Sequence, residues 1–290
     1  MQSTIVTAVE EGTDPAVARI AGELAEGLDS QVVLAHIADD PALDSSVDYE
    51  FEGAMRRARE SFHRMAEELP EGVDVRQRVE VGAVVEELIS IARDEDAELI
   101  VVGSRGRGAL SSAVIGSVSR ELTQRAPCPV VIVTLGAVRQ RGDRSTRDGT
   151  ATSSVVAGVD GSERAAAGAR LAGALARRLG DRLVLVHGNG GGIPAVTKAQ
   201  ADAAAQLAIE GALTSADVEA EGRIEQGSAA RALESVADRD GARLIVVAAR
   251  EIGHLRAALV GSVSAQLATH AGCPVVVLPE RVDLRARTAR

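Results

Sequence analysis

Short apolar stretches alternate along this chain with longer ones whose apolar residues recur at helical spacing. Residues 4–9, Thr-Ile-Val-Thr-Ala-Val, read as a buried strand. Asp14-Pro15 then opens a helix to about residue 27, because proline fits a first helical turn. Residues 31–37 are a second buried strand, and residues 49–69 a charged amphipathic helix closed by Pro70 and Gly72. Residues 73–81 alternate apolar with polar, a strand with one wetter face. Residues 83–94 are helical, with Val84, Leu88, Ile91 and Ala92 on one stripe. An apolar strand over 98–102, a helix over 117–125 and a strand over 129–134 complete the series. This β-α alternation predicts a parallel sheet with helices on both faces.

The pattern then repeats. Residues 99–133 read LIVVGSRGRGALSSAVIGSVSRELTQRAPCPVVIV, and residues 244–278 read LIVVAAREIGHLRAALVGSVSAQLATHAGCPVVVL. At a constant offset of 145, 18 of these 35 positions are identical. A period this long is a duplicated domain, not a solenoid unit. The reading is a first domain over 1–135, a Gly/Arg/Asp/Ser/Thr linker over 136–153, a second domain over 154–280 and an Arg-rich tail over 281–290. The offset begins at 150–151 and falls to 145 after the second helix, so the length difference lies between the second and third strands. In a chain of 290 residues, each half can bury its own core.

Apolar residues at 46% and charged residues at 26% suit a soluble globular protein. Aromatics at 1% leave an aliphatic core, so a bound base would sit among Val, Ile and Ala, without stacking platforms. A net charge of −10 disfavours nucleic acid as a partner. No apolar run is long enough to span a membrane. The opening MQSTIVTAVEEGTD is acidic where a signal peptide is basic, and a cytoplasmic location is expected. Cys128 and Cys273 occupy matching places before Pro and an apolar run, and read as small buried residues in a reducing compartment. His36 and His187, each ending a second strand, read as packed and hydrogen-bonded, not catalytic.

In an open parallel sheet, ligands sit at the carboxyl ends of the strands, where strand order reverses. In the first domain the end of strand one (Ala8-Val9-Glu10), the end of strand two (Ile37) and the loop after strand four converge there. That loop runs Gly103-Ser104-Arg105-Gly106-Arg107-Gly108 and continues to Gly116-Ser117-Val118-Ser119. Gly103 and Gly106 allow close backbone approach to a ligand. Successive N–H groups there form an anion cradle. Gly116-Ser117 opens a helix whose N–H groups and dipole point to the same place. Ser117 and Ser119 add hydroxyls, Arg105 and Arg107 add charge, and no Asp or Glu lies between Gly103 and Ser119. A P-loop is absent, since Lys198 is the sole lysine and lies outside such a motif.

The Gly-x-x-Gly-x9-Gly-Ser run, Val159-Asp160-Gly161-Ser162 and the two Ala-x-Cys-Pro-Val endings resemble the universal stress protein family in its tandem form, over nearly all of both halves. The resemblance implies two Rossmann-like α/β domains, each a five-stranded parallel sheet of order 3-2-1-4-5. It also implies dimer-like packing through the last strand, as a homo-oligomer or an intramolecular domain pair. In its ATP-binding branch, strand ends hold adenine and ribose while the glycine loop and helix start hold phosphates. Those places here are Ala8, Val9, Glu10 and Ile37, then Val102, Gly103, Arg105, Gly106, Gly116, Ser117, Val118 and Ser119.

Two departures bear on the site. Glu10 stands where the family has Asp and is one methylene longer. In the second domain Asp160, Gly261 and Ser262 are in place, but Ala248 replaces Gly103 and Glu251 replaces Gly106. A carboxylate at roughly 4 Å from phosphate opposes binding by about 4 kcal/mol at an effective dielectric near 20. The expectation is one competent site, in the first domain. The function expected is an ATP-binding stress-response regulator without catalytic residues, any Mg²⁺ being held mainly by the phosphates and Ser117. The alternatives are a nucleotide-independent scaffold or dimer module, and an adenylate-forming enzyme.

Overall fold

The computed structural model describes residues 2–38, 48–104, 115–134, 136–138, 153–190, 198–249 and 262–282; for residues 48–52, 54, 198 and 262 it describes the backbone alone. The chain divides into two compact units, Met1–Val133 and Thr134–Arg290.

In the first unit the elements are β1 (Ser3–Ala8), α1 (Ala16–Leu28), β2 (Ser30–Ala38), α2 (Asp48–Ala66), β3 (Val75–Val81), α3 (Val84–Asp94), β4 (Ala97–Gly103), α4 (Ser117–Arg125) and β5 (Val130–Val133). Strand pairing is parallel throughout, in the order β3-β2-β1-β4-β5. In the second unit they are β6 (Ser154–Gly158), α5 (Glu163–Leu179), β7 (Arg182–Gly188), α6 (Lys198–Ala216), β8 (Ala220–Glu225), α7 (Ala229–Asp240), β9 (Ala242–Ala248), α8 (Ser262–His270) and β10 (Val275–Leu278). Its order is β8-β7-β6-β9-β10, again parallel. The 3-2-1-4-5 arrangement thus holds in each unit.

The central strands are buried on both faces, which is why they read as unbroken Val/Ile/Leu runs. Ile5, Val6, Ile100, Val101, Val155, Val156, Ile245 and Val246 are all fully buried. Cys128 and Cys273 are buried, just ahead of β5 and β10.

Three local differences from the sequence pattern have physical causes. Helix α2 ends at Ala66, not at residue 69. The next turn tightens, with Glu68 and Leu69 amides bonding to Met65 and Ala66 carbonyls, because Pro70 cannot continue a helix. Helices α2 and α6 are both 19 residues, so the length difference between the copies lies in the loops flanking them. Helix α5, at 17 residues, is longer than α1, at 13. It starts at once after Ser162, whose hydroxyl accepts from the Ala165 amide at 3.1 Å. In the first copy, by contrast, Asp14 accepts from the Ala16 amide and Pro15 leads into the helix.

Both first helices carry a glycine where another segment crosses closely. A Cβ on Gly22 would collide with Pro70 and Leu69, and one on Gly173 with the Ala216 carbonyl oxygen. Gly211 in α6 meets nothing within 4 Å. Gly173→Ala is therefore expected to lower the unfolding free energy by about 1–3 kcal/mol through overpacking. Gly211→Ala is expected to raise it by about 0.5–1 kcal/mol through helix propensity. Urea denaturation followed by circular dichroism measures both, and a stabilising Gly173→Ala would refute the close-crossing account.

Candidate functional site

The site in the first unit is set by two pinned chain segments. At the end of β1 the Val9 amide donates to Ala35 O at 2.8 Å. His36 Nδ1 lies 3.0 Å from Val9 O; a carbonyl only accepts, so Nδ1 carries the proton. The ring is buried and meets Phe62 edge-on, with centroids 6.3 Å apart. His187 Nδ1 and Val159 O repeat the joint at 3.0 Å in the second unit. Both histidines are thus braces between strand ends. In the first unit His36 thereby holds the turn carrying Glu10, whose amide donates to Thr13 Oγ1 at 2.9 Å while its carbonyl accepts from the Thr13 amide.

The second segment is the strand-to-helix junction after β4. The Ser104 amide donates to Val133 O at 2.9 Å, and the Gly116 amide donates to Ser104 O at 2.9 Å. Ser119 Oγ donates to Gly103 O at 2.8 Å and is buried. These bonds bring the two ends of the glycine loop together. The first intrahelical bond of α4 runs from the Arg120 amide to Gly116 O, so the Ser117, Val118 and Ser119 amides have no acceptor within the helix. The Ser117 side chain is exposed.

Sequence reasoning treated the Gly116 amide and the Ser119 hydroxyl as donors for a ligand. The structure uses both to join the two ends of the loop, leaving three helix-start amides without an acceptor in the helix and the Ser117 side chain exposed. Ala8, Glu10, Ile37 and Gly103 are half-buried, and Val9 and Val102 are buried. Arg105, Gly106 and Arg107 lie outside the described residues, as do Glu251 and Gly261 and the Ser262 side chain.

In the second unit, Asp160 Oδ1 accepts from the Ser162 amide at 2.9 Å and the Ser162 hydroxyl at 2.6 Å. The carboxylate thereby orders its own turn. A cavity of about 190 Å³ opens beside it at the carboxyl ends of β6, β7 and β9, lined among others by Val159, Asp160, Arg164, Leu233, Ala248 and Ser264. The sequence reading missed Arg164. The available signal was a lone cation in the apolar first turn after Asp-Gly-Ser-Glu, opposite Asp14 in the first copy. Among the described residues no cluster of metal-ligating side chains occurs, and no helix is long and apolar enough to cross a membrane.

With this geometry established, comparison with known proteins places the chain. The sequence profile of the Universal stress protein family matches residues 1–134 and again residues 152–279. The chain therefore belongs to the universal stress protein family, in a tandem two-domain form. It is 30% identical over 219 residues to a universal stress protein of Mycolicibacterium smegmatis, covering 72% of this chain and 70% of that one. A universal stress protein of Mycobacterium tuberculosis is 30% identical over 191 residues, 63% of this chain. That match spans 62% of the relative's own length, less than two thirds. The crystal structure of a universal stress protein from Archaeoglobus fulgidus shares the fold, with a TM-score of 0.69 at 16% identity over 96% of this chain and 99% of that one.

The brace at the loop yields a paired expectation. Ser119→Ala removes the donor from a buried carbonyl and should lower stability by about 1–2 kcal/mol. Ser117→Ala, at an exposed helix start, should change it by less than about 0.5 kcal/mol. Urea midpoints of the two variants decide the matter; equal midpoints would contradict the assignment of Ser119 as the brace.

Proposed function

We propose that this chain is a regulatory protein that binds ATP through its first domain. One observation carries the reading. The Ser117, Val118 and Ser119 amides start a helix without an acceptor inside it, and the sequence from 103 to 119 contains no Asp or Glu in a chain of net charge −10. Helix-start amides without acceptors, at the carboxyl edge of a parallel sheet, favour a polyphosphate. Ala8, Val9, Glu10, Ile37 and Val102 would take adenine and ribose, and Gly103, Arg105, Gly106 and Gly116 would admit the phosphates. Mg²⁺ would be held mainly by the phosphates, with the Ser117 hydroxyl beside it.

The same stretch has no Lys, His, Asp or Glu to serve as a general base, which supports binding without efficient turnover. Residues 1–135 and 154–280 are taken as the two domains, with association through a further copy and a cytoplasmic location as parts of the same reading. The rival reading is a nucleotide-independent scaffold. It is favoured by the Asp160 carboxylate, which is bonded to its own turn.

Thermal unfolding with and without Mg-ATP separates the two. Ligand at about a hundred times its dissociation constant should stabilise the protein by about 2.7 kcal/mol. Gly116→Leu should remove that shift while leaving the unliganded midpoint near that of the parent, whereas Gly261→Leu should retain it. No shift at millimolar ATP would favour the scaffold, and equal sensitivity at Gly116 and Gly261 would refute the asymmetry between the copies.

A further inference from the structure

From sequence, the first domain runs to residue 135 and a linker begins at 136. In the structure Thr134 and the turn over residues 136–138 group instead with the second unit. The Thr134 hydroxyl bonds there in two directions. Its Oγ1 accepts from the Ala137 amide at 2.9 Å and donates to Ala271 O at 2.7 Å. The Val138 amide donates to Thr134 O at 3.2 Å and closes the turn. Ala271 directly follows the last residue of α8, and its own amide still donates to Leu267 O at 2.9 Å. Its carbonyl is therefore one of the terminal acceptors that a helix cannot satisfy from within. Thr134 supplies the donor.

The contact is dry and close. Thr134, Ala137 and Ala271 are all fully buried. A Cβ on Gly136 would collide with the Ala271 carbonyl and crowd Gly272 Cα, so the bare backbone is what lets the two segments meet. The duplication shows how particular this fit is. At the offset of 145, Pro279 stands opposite Thr134, Arg281 opposite Gly136 and Pro127 opposite Gly272. The segment after β10 thus has neither the hydroxyl nor the glycine, and the turn ahead of β5 has a proline where the turn ahead of β10 has a glycine. Anchor, contact glycine and receiving glycine occur together once in the chain.

We propose that the turn between α8 and β10 is a docking surface for the segment that follows β5, with the Thr134 hydroxyl as its anchor and Gly136 as its point of closest approach. The first domain is then held to the second by this strap as well as by the linker, and cutting the linker does not part them. This strap is independent of the nucleotide reading of the first domain.

The test uses the full chain with a specific protease site inserted between Ser145 and Thr146, cut to completion and passed over a sizing column. The two halves should co-elute. Thr134→Val keeps the shape of the side chain and removes both hydrogen bonds. It should weaken association of the halves by about ten- to a hundredfold, since it leaves buried groups unpaired. Thr134→Ser keeps the hydroxyl and should co-elute as the parent does. Gly136→Ala, which leaves every hydrogen-bonding group in place, should weaken association through the clash alone and guards against a folding defect in Thr134→Val. Amide exchange at Ala137 in the uncut chain gives a second readout: slow in the parent and in Thr134→Ser, fast in Thr134→Val. Separation of the parent halves overturns the proposal, as does equal association in the parent, Thr134→Val and Gly136→Ala. Loss of co-elution in Thr134→Ser overturns the anchoring role of the hydroxyl.

Discussion

A parallel pair of strands cannot be closed by a tight hairpin; the chain must cross back over the sheet before the next strand begins. Every other feature of this molecule follows from that constraint. The crossovers place all strand-to-helix turns on one edge of each sheet, so segments far apart in sequence meet there without any further instruction. β1 and β4 are neighbours in the first unit, and the connections from them leave to opposite sides. In open parallel sheets of this kind the gap between such departures is the usual place for a ligand. The braces at the edge are local and few. An imidazole joins the ends of β1 and β2, and a serine hydroxyl joins the end of β4 to the start of α4.

The outer strands face the opposite problem, since β3 and β8 each end their order of pairing within the unit. An unprotected strand edge invites pairing with another chain. Both edges carry charge held in place by the following helix. Arg78 on β3 bonds to Glu80, Asp94 and Glu95, and its pKa is raised chiefly by the Glu80 bond. Arg223 on β8 bonds to Glu221 and Asp240, with its pKa raised by the same cause, and lowers that of Glu221 in return. The duplicated domain thus kept the device in both copies: the arginine stands at the same place, 145 residues on, while its set of carboxylate partners differs.

Most of the fold was legible because buried strands and amphipathic helices leave periodic signatures. β1, β4 and β5 lie within a residue or so of their predicted positions. The end of α2 was misplaced because a tightened turn before Pro70 keeps helical spacing in the sequence while changing its bonds. The candidate site was legible in outline and not in function-by-atom. Spacing shows that Ser119 belongs to a helix start, yet cannot show that its hydroxyl turns back to Gly103. Arg164 was invisible for a similar reason: a first-turn arginine normally reaches water, and only the tertiary fold reveals that this one runs inward to the carbonyls of Leu278 and Pro279.

The imidazole joints carry one more consequence. A ring that donates through Nδ1 to Val9 O or to Val159 O cannot turn about its own side-chain bond without giving up that hydrogen bond. Each first strand is therefore locked to its neighbour at the rim by a rigid plane as well as by the ladder.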